Sequence, residues 1–87
     1  MFKKNYDFIM REKDVTTVLS VINKHDLHAL DGVGNCGWAD EPDMWYIAFC
    51  TTEGKYRKIV KDLKAIGEFK ADVGPRGQID LMFVKAS

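Results

Sequence analysis

The sequence predicts one α+β domain, a two-layer sandwich with an antiparallel sheet on one side and two helices on the other. Three observations point there. Its 87 residues leave room for a single domain over 1–87. With 46% hydrophobic and 30% charged residues, the composition is that of a folded globular chain rather than a disordered one. Above all, a strand–helix–strand pattern of apolar residues occurs twice.

Tyr6, Phe8 and Met10 alternate, which predicts a first strand with these three on one face. Asp14 follows as a candidate N-cap. Val15, Val18, Leu19 and Ile22 are then spaced for a helix ending near Lys24–His25, although the Val-Thr-Thr-Val run is β-branched and suits a strand as well. Leu27–Leu30 reads as the second strand. Asp31–Asp43, with three glycines, a proline and four acids, reads as a loop or an irregular hairpin tip.

Met44–Cys50 is apolar and aromatic throughout, which predicts a central strand covered on both faces. Thr51-Thr52-Glu53 supplies cap chemistry for a second helix. Tyr56, Ile59, Val60, Leu63 and Ile66 form its apolar stripe, and Gly67 ends it. Phe69–Val73 is a strand, Gly74-Pro75-Arg76-Gly77 a turn, and Ile79–Val84 a last strand.

Residues 6–22 align without gaps on 47–63. Phe8 falls on Phe49, Val15 on Tyr56, Val18 on Ile59, Leu19 on Val60 and Ile22 on Leu63. The second half is plainly helical, so the repeat resolves the ambiguous first helix. After a one-residue insertion, Leu27 falls on Phe69, Ala29 on Ala71 and Gly32 on Gly74. Two β-α-β units with right-handed crossovers give the ferredoxin-like βαββαβ arrangement, with both helices on one face. The Gly74–Gly77 turn then adds a C-terminal strand or splits the fourth.

The formal net charge is zero, which argues against a dedicated duplex-nucleic-acid binder. Charge is nevertheless segregated. Residues 27–54 hold five acids and no Lys or Arg, whereas 55–70 hold six bases and two acids. No apolar run is long enough to span a bilayer, and Met1–Tyr6 does not read as a secretory signal. Two cysteines, Cys36 and Cys50, do not make a disulfide scaffold, so a cytoplasmic protein with reduced thiols is expected.

The motifs that carry chemistry are weak. Gly32–Gly37 spells G-x-G-x-x-G, but Trp38–Asp43 is a poor helix start and its three acids would repel a phosphate. A glycine-rich turn is the better reading. His25 and His28, with Cys36, could be metal ligands, yet no second close ligand pair accompanies them. His25 suits a helix C-terminus instead. A Cys36–His28 pair would suit nucleophilic chemistry, but nothing in the spacing demands it. No metal, cofactor or catalytic residue is expected, and the chain does not read as an enzyme.

The leading expectation is a binding or regulatory module that contacts another protein. Loop 34–45 is its candidate surface, through Trp38, Asp40, Glu41, Asp43 and Met44. An aromatic anchor ringed by charge is how binding hot spots are often built, and the acids would steer a basic partner. Whether Trp38 is exposed or caps the core stays open. A homodimer could form through the Ile79–Val84 edge or the flat sheet face. A second expectation is single-stranded nucleic acid or RNA on the sheet aromatics, using Tyr46 with Lys58 and Lys61 of the second helix. A third is a small effector ligand.

Overall fold

The structure is a computed structural model and describes residues 2–74 and 76–87; Met1, and Pro75 of the expected turn, lie outside the described residues. Strand Lys3–Arg11 (β1) passes through a 3-10 turn, Glu12–Asp14, into helix Val15–His25 (α1). Strands Leu30–Asn35 (β2) and Met44–Thr52 (β3) follow, then helix Glu53–Ile66 (α2), and strands Gly67–Val73 (β4) and Ile79–Lys85 (β5). The strands form one sheet in the order β2-β3-β1-β5-β4.

β1 and β3 are its spine. They run antiparallel over their whole length, with Lys3 opposite Thr52 and Arg11 opposite Met44. Alternation turns Phe8 and Met10 of β1, with Ile47 and Phe49 of β3, toward the helices. There they form one core with Val18 and Ile22 of α1, Ile59 and Leu63 of α2, and Phe83 of β5. Tyr56 stacks on Tyr6 at a centroid distance of 3.8 Å, and Phe8 meets Phe69 at 4.9 Å. Both helices therefore lie on one face of the sheet. The repeat is visible in burial, since Val18, Ile22, Ile59 and Leu63 are all fully buried.

The second half departs from the expected arrangement. β4 goes to the far edge, and β5 returns between β4 and β1, parallel to β1 through Ile9–Met82 and Met10–Phe83. The result is a five-stranded mixed sheet, not the antiparallel sheet that the repeat implies. Of the two readings of the Gly74–Gly77 turn, the added strand is the one observed. β5 lies inside the sheet, so Ile79–Val84 offers no free edge; the free edges are β2 and β4.

Three local expectations also change. The second strand is not Leu27–Leu30 but Leu30–Asn35, and Leu27 is exposed. Gly32 and Gly34 are strand residues because the Tyr46 ring lies against them; a Cβ at Gly34 would come within 3.1 Å of that ring. An aromatic covering a cross-strand glycine replaces the packing that the missing side chain would supply. β3 is central, but it is buried on one face and only half-buried on the other. Asp14 precedes α1 as expected, yet its side chain makes no capping bond, because the 3-10 turn leads into the helix instead.

Two helices side by side cover a width of roughly 20 Å, about four strands, so a fifth strand outgrows them. The helix-side face of the β4–β5 hairpin is where this shows. Val73, Ile79 and Leu81 are exposed there, although they continue the apolar face that holds Phe69 and Phe83. Among the described residues, no helix is long and apolar enough to cross a membrane.

Candidate functional site

The β2–β3 connection, Cys36–Asp43, is held by its own polar groups. Asn35 spans its ends: the Nδ2 amide donates to the Pro42 carbonyl at 2.7 Å, and Oδ1 accepts the Gly37 N–H at 2.7 Å. This is the local bonding that makes asparagine a turn residue. The Cys36 N–H donates to the Met44 carbonyl, and Glu41 and Met44 donate in succession to Trp38 and Glu41. The segment is two tight turns in sequence.

Arg11, at the end of β1, clamps the loop from outside. Its Nη1 lies 2.9 Å from Asp43 Oδ1 and its Nη2 lies 3.3 Å from Glu41 Oε1. The Glu12 N–H also donates to the Asp43 carbonyl at 2.9 Å. Two of the three loop acids are thus already paired within the chain. Asp40 is the exposed acid that remains. Such partly solvated pairs contribute little to stability, but they fix where the loop points.

The candidate residues divide accordingly. Trp38 is half-buried and stands apart from the core, so it is a wall residue rather than a cap. Met44 is fully buried and cannot contact a partner; its place in the contact set is corrected by the register that sets it opposite Arg11 as the first residue of β3. Cys36 and Trp38 face Arg76, Gly77 and Gln78 of the β4–β5 turn across a cleft of about 710 Å³. The cleft is thus walled by Trp38 on one side and by Arg76–Gln78 on the other, where the Gln78 amide oxygen accepts the Arg76 N–H and braces the turn. The Cys36 thiol titrates above its ordinary value because it is partly buried and because Asp80 and Glu41 lie near. That environment holds the thiol protonated and makes it a poor nucleophile.

The sheet face away from the helices carries charges of both signs, with one group of carboxylates toward the β4–β5 end. Asp7, Asp72 and Asp80 lie on it, with Asp72 directly opposite Asp80. Burial raises the Asp80 carboxyl above the usual range, and Asp7 and Asp72 add to the shift. Asp72 Oδ2 is buried with no hydrogen-bond partner. Like charges opposite each other weaken a strand pair, so this face holds stress that a cation would relieve.

The structure does not assemble the nucleic-acid set. Tyr6, Phe8 and Phe49 point into the core, and of the sheet aromatics considered, Tyr46 lies on the open face, opposite Ile9 and with its ring over Gly32 and Gly34. Lys58 and Lys61 are exposed on α2, on the opposite side of the sheet from Tyr46. No single strand of nucleic acid touches both without crossing the molecule.

His25 lies at the α1 C-terminus, as expected, and its Nε2 is 2.7 Å from Asp62 Oδ2 of α2. That bond, with Lys24, holds the Asp62 carboxyl below its ordinary range. His28 is exposed, and its N–H donates to Asp26. Among the described residues, no group of three His, Cys, Asp or Glu is placed to hold a metal ion. A second, apolar groove of about 320 Å³ lies where the sheet outgrows α2, lined by Phe8, Tyr56, Val60, Phe69 and Leu81 and edged by Arg57 and Lys64.

Sequence reasoning missed Arg11, Arg76 and Gln78 because their roles depend on contacts far along the chain. Strand alternation would have placed Asp72 and Asp80 on one face once β4 and β5 were paired. Compared with protein-family models, curated proteins and solved structures, the chain matches none.

Proposed function

We propose that the chain is a non-enzymatic binding module that contacts another protein through the β2–β3 loop and its cleft. The scaffold is read as a ferredoxin-like arrangement widened by one strand, working in the cytoplasm with both thiols reduced. The observation that carries this reading is Trp38, held half-exposed by a rigid loop opposite Arg76 and Gln78. A pre-ordered aromatic wall loses little freedom on binding, which favours affinity. Asp40 and the Asp7, Asp72 and Asp80 carboxylates steer a partner with a basic surface, and the cleft takes an anchoring side chain from it.

The test keeps Glu41 and Asp43 in place, because they hold the loop through Arg11. A Trp38→Ala, Asp40→Ala chain should keep its circular dichroism and lose a protein that the unaltered chain captures from host lysate. Capture equal to that of the unaltered chain would contradict the proposal.

A further inference from the structure

We propose that β4 pairs edge to edge with β4 of a second copy, joining two sheets into one across a twofold axis at Ala71. This surface is separate from the loop, so the two readings stand or fall independently.

β4 is an edge strand of seven residues without a bulge against β5. The other edge, β2, is interrupted by a register shift between Leu30 and Gly32. A long regular edge is a template for another strand. The Gly74 N–H donates to the Gln78 carbonyl, which sets the phase of the β4–β5 ladder. Two residues at a time back from Gly74, Asp72, Lys70 and Glu68 turn their backbone toward β5. Phe69, Ala71 and Val73 therefore turn theirs outward, to the free edge.

An antiparallel twofold pair can centre on Lys70 or on a neighbour of the same phase as Ala71. Centred on Lys70, it sets Lys70 against Lys70 and Glu68 against Asp72, like charge on like charge. Centred on Ala71, it sets Lys70 against Asp72 twice on the open face. On the helix face it sets Phe69 against Val73 twice and Ala71 against Ala71. Centred on Phe69, it pairs Lys70 with Glu68, a contact that each chain already makes internally at 3.4 Å.

Two observations select the Ala71 register. Of the two carboxylates on the open face of β4, Glu68 already has Lys70 at 3.4 Å, whereas Asp72 faces another acid, Asp80, so Asp72 is the one that gains from a cation across the edge. Val73 is 69% exposed, and this register gives it an aromatic neighbour. About six ladder hydrogen bonds form between Phe69, Ala71 and Val73 of the two copies. The twofold axis is perpendicular to the sheet, so both α2 helices stay on one side, separated by the two β4–β5 hairpins.

Sedimentation of the whole chain across the micromolar range tests this. The unaltered chain should shift from monomer to dimer with concentration. Ala71→Pro removes an outward N–H and no inward bond, so it should fold and stay monomeric. Lys70→Asp should weaken association roughly tenfold or more, by setting two acids against Asp72. Adding Asp72→Lys to it should restore association, because the pair is then reversed. A chain that stays monomeric throughout, an Ala71→Pro chain that dimerises as before, or a double variant no better than Lys70→Asp would overturn the proposal. Should the proline variant not fold, the charge reversal decides alone.

Discussion

Asp26→Ala is expected to lower the unfolding free energy by about 2–3 kcal/mol, near the top of the range for a single polar side chain. Asp26 ends α1, where its N–H donates to the Ile22 carbonyl at 2.9 Å. Its side chain accepts the Thr51 hydroxyl at 2.8 Å and the His28 N–H at 3.3 Å, and Lys55 Nζ lies 3.8 Å away. One carboxylate thus joins the end of α1, the turn into β2, the end of β3 and the start of α2. Thr51 is fully buried, so removing the acceptor strands its hydroxyl.

The same contacts give the effect a pH dependence. The Thr51 hydroxyl bond, then the His28 amide and the Lys55 charge, hold the Asp26 carboxyl below its ordinary value despite its burial. A depressed carboxyl contributes stability above its unfolded value, near pH ~4, and loses it as pH falls through the folded value. The gap between the unaltered chain and Asp26→Ala in urea unfolding should therefore be widest at neutral pH. It should narrow as the solution is acidified below about pH 4.

Gly67→Ala is expected to cost about 2–3 kcal/mol, seen as a fall in Tm of roughly 10–20 °C. Gly67 joins α2 to β4 in extended backbone that any residue adopts, so the cost is one of space. A Cβ there would run into the Val84 carbonyl oxygen and would meet the Phe83 ring at 2.8 Å. Phe83 is fully buried and the carbonyl belongs to the neighbouring strand, so neither yields cheaply. An unchanged Tm would mean that β4 does not enter the sheet directly from α2 against β5.

The helices were legible because the repeat aligned residues that share one fate in the core, Val18 with Ile59 and Ile22 with Leu63. Past the helices the repeat misled. It set Leu27 on Phe69, yet Leu27 is exposed while Phe69 packs on Phe83 at 5.6 Å. The difference is topological: β2 lies directly beside β3, whereas β4 leaves a gap that β5 fills. A parallel contact of two residue pairs leaves no periodic signature in a sequence. β2 was hidden for another reason, since its glycines are stabilised by Tyr46, a residue of the neighbouring strand.

The loop showed itself as an acidic, tryptophan-bearing segment with no counterpart in the other half. The pairing of two of its acids is not legible there, because Arg11 lies 30 and 32 positions away from Glu41 and Asp43. Met44 was misread for a simpler reason: the loop ends one residue before it, and β3 carries it into the interior. What the loop offers without an internal ion pair is Trp38 and Asp40, with the Arg76–Gln78 turn across the cleft.

Amide hydrogen exchange of the chain, free and with its captured partner, tests the contact surface most directly. Slowed exchange at 36–43 and 76–78, with α2 unchanged, is the predicted result. Slowed exchange confined to α2 or to the sheet, leaving 36–43 as in the free chain, would contradict it.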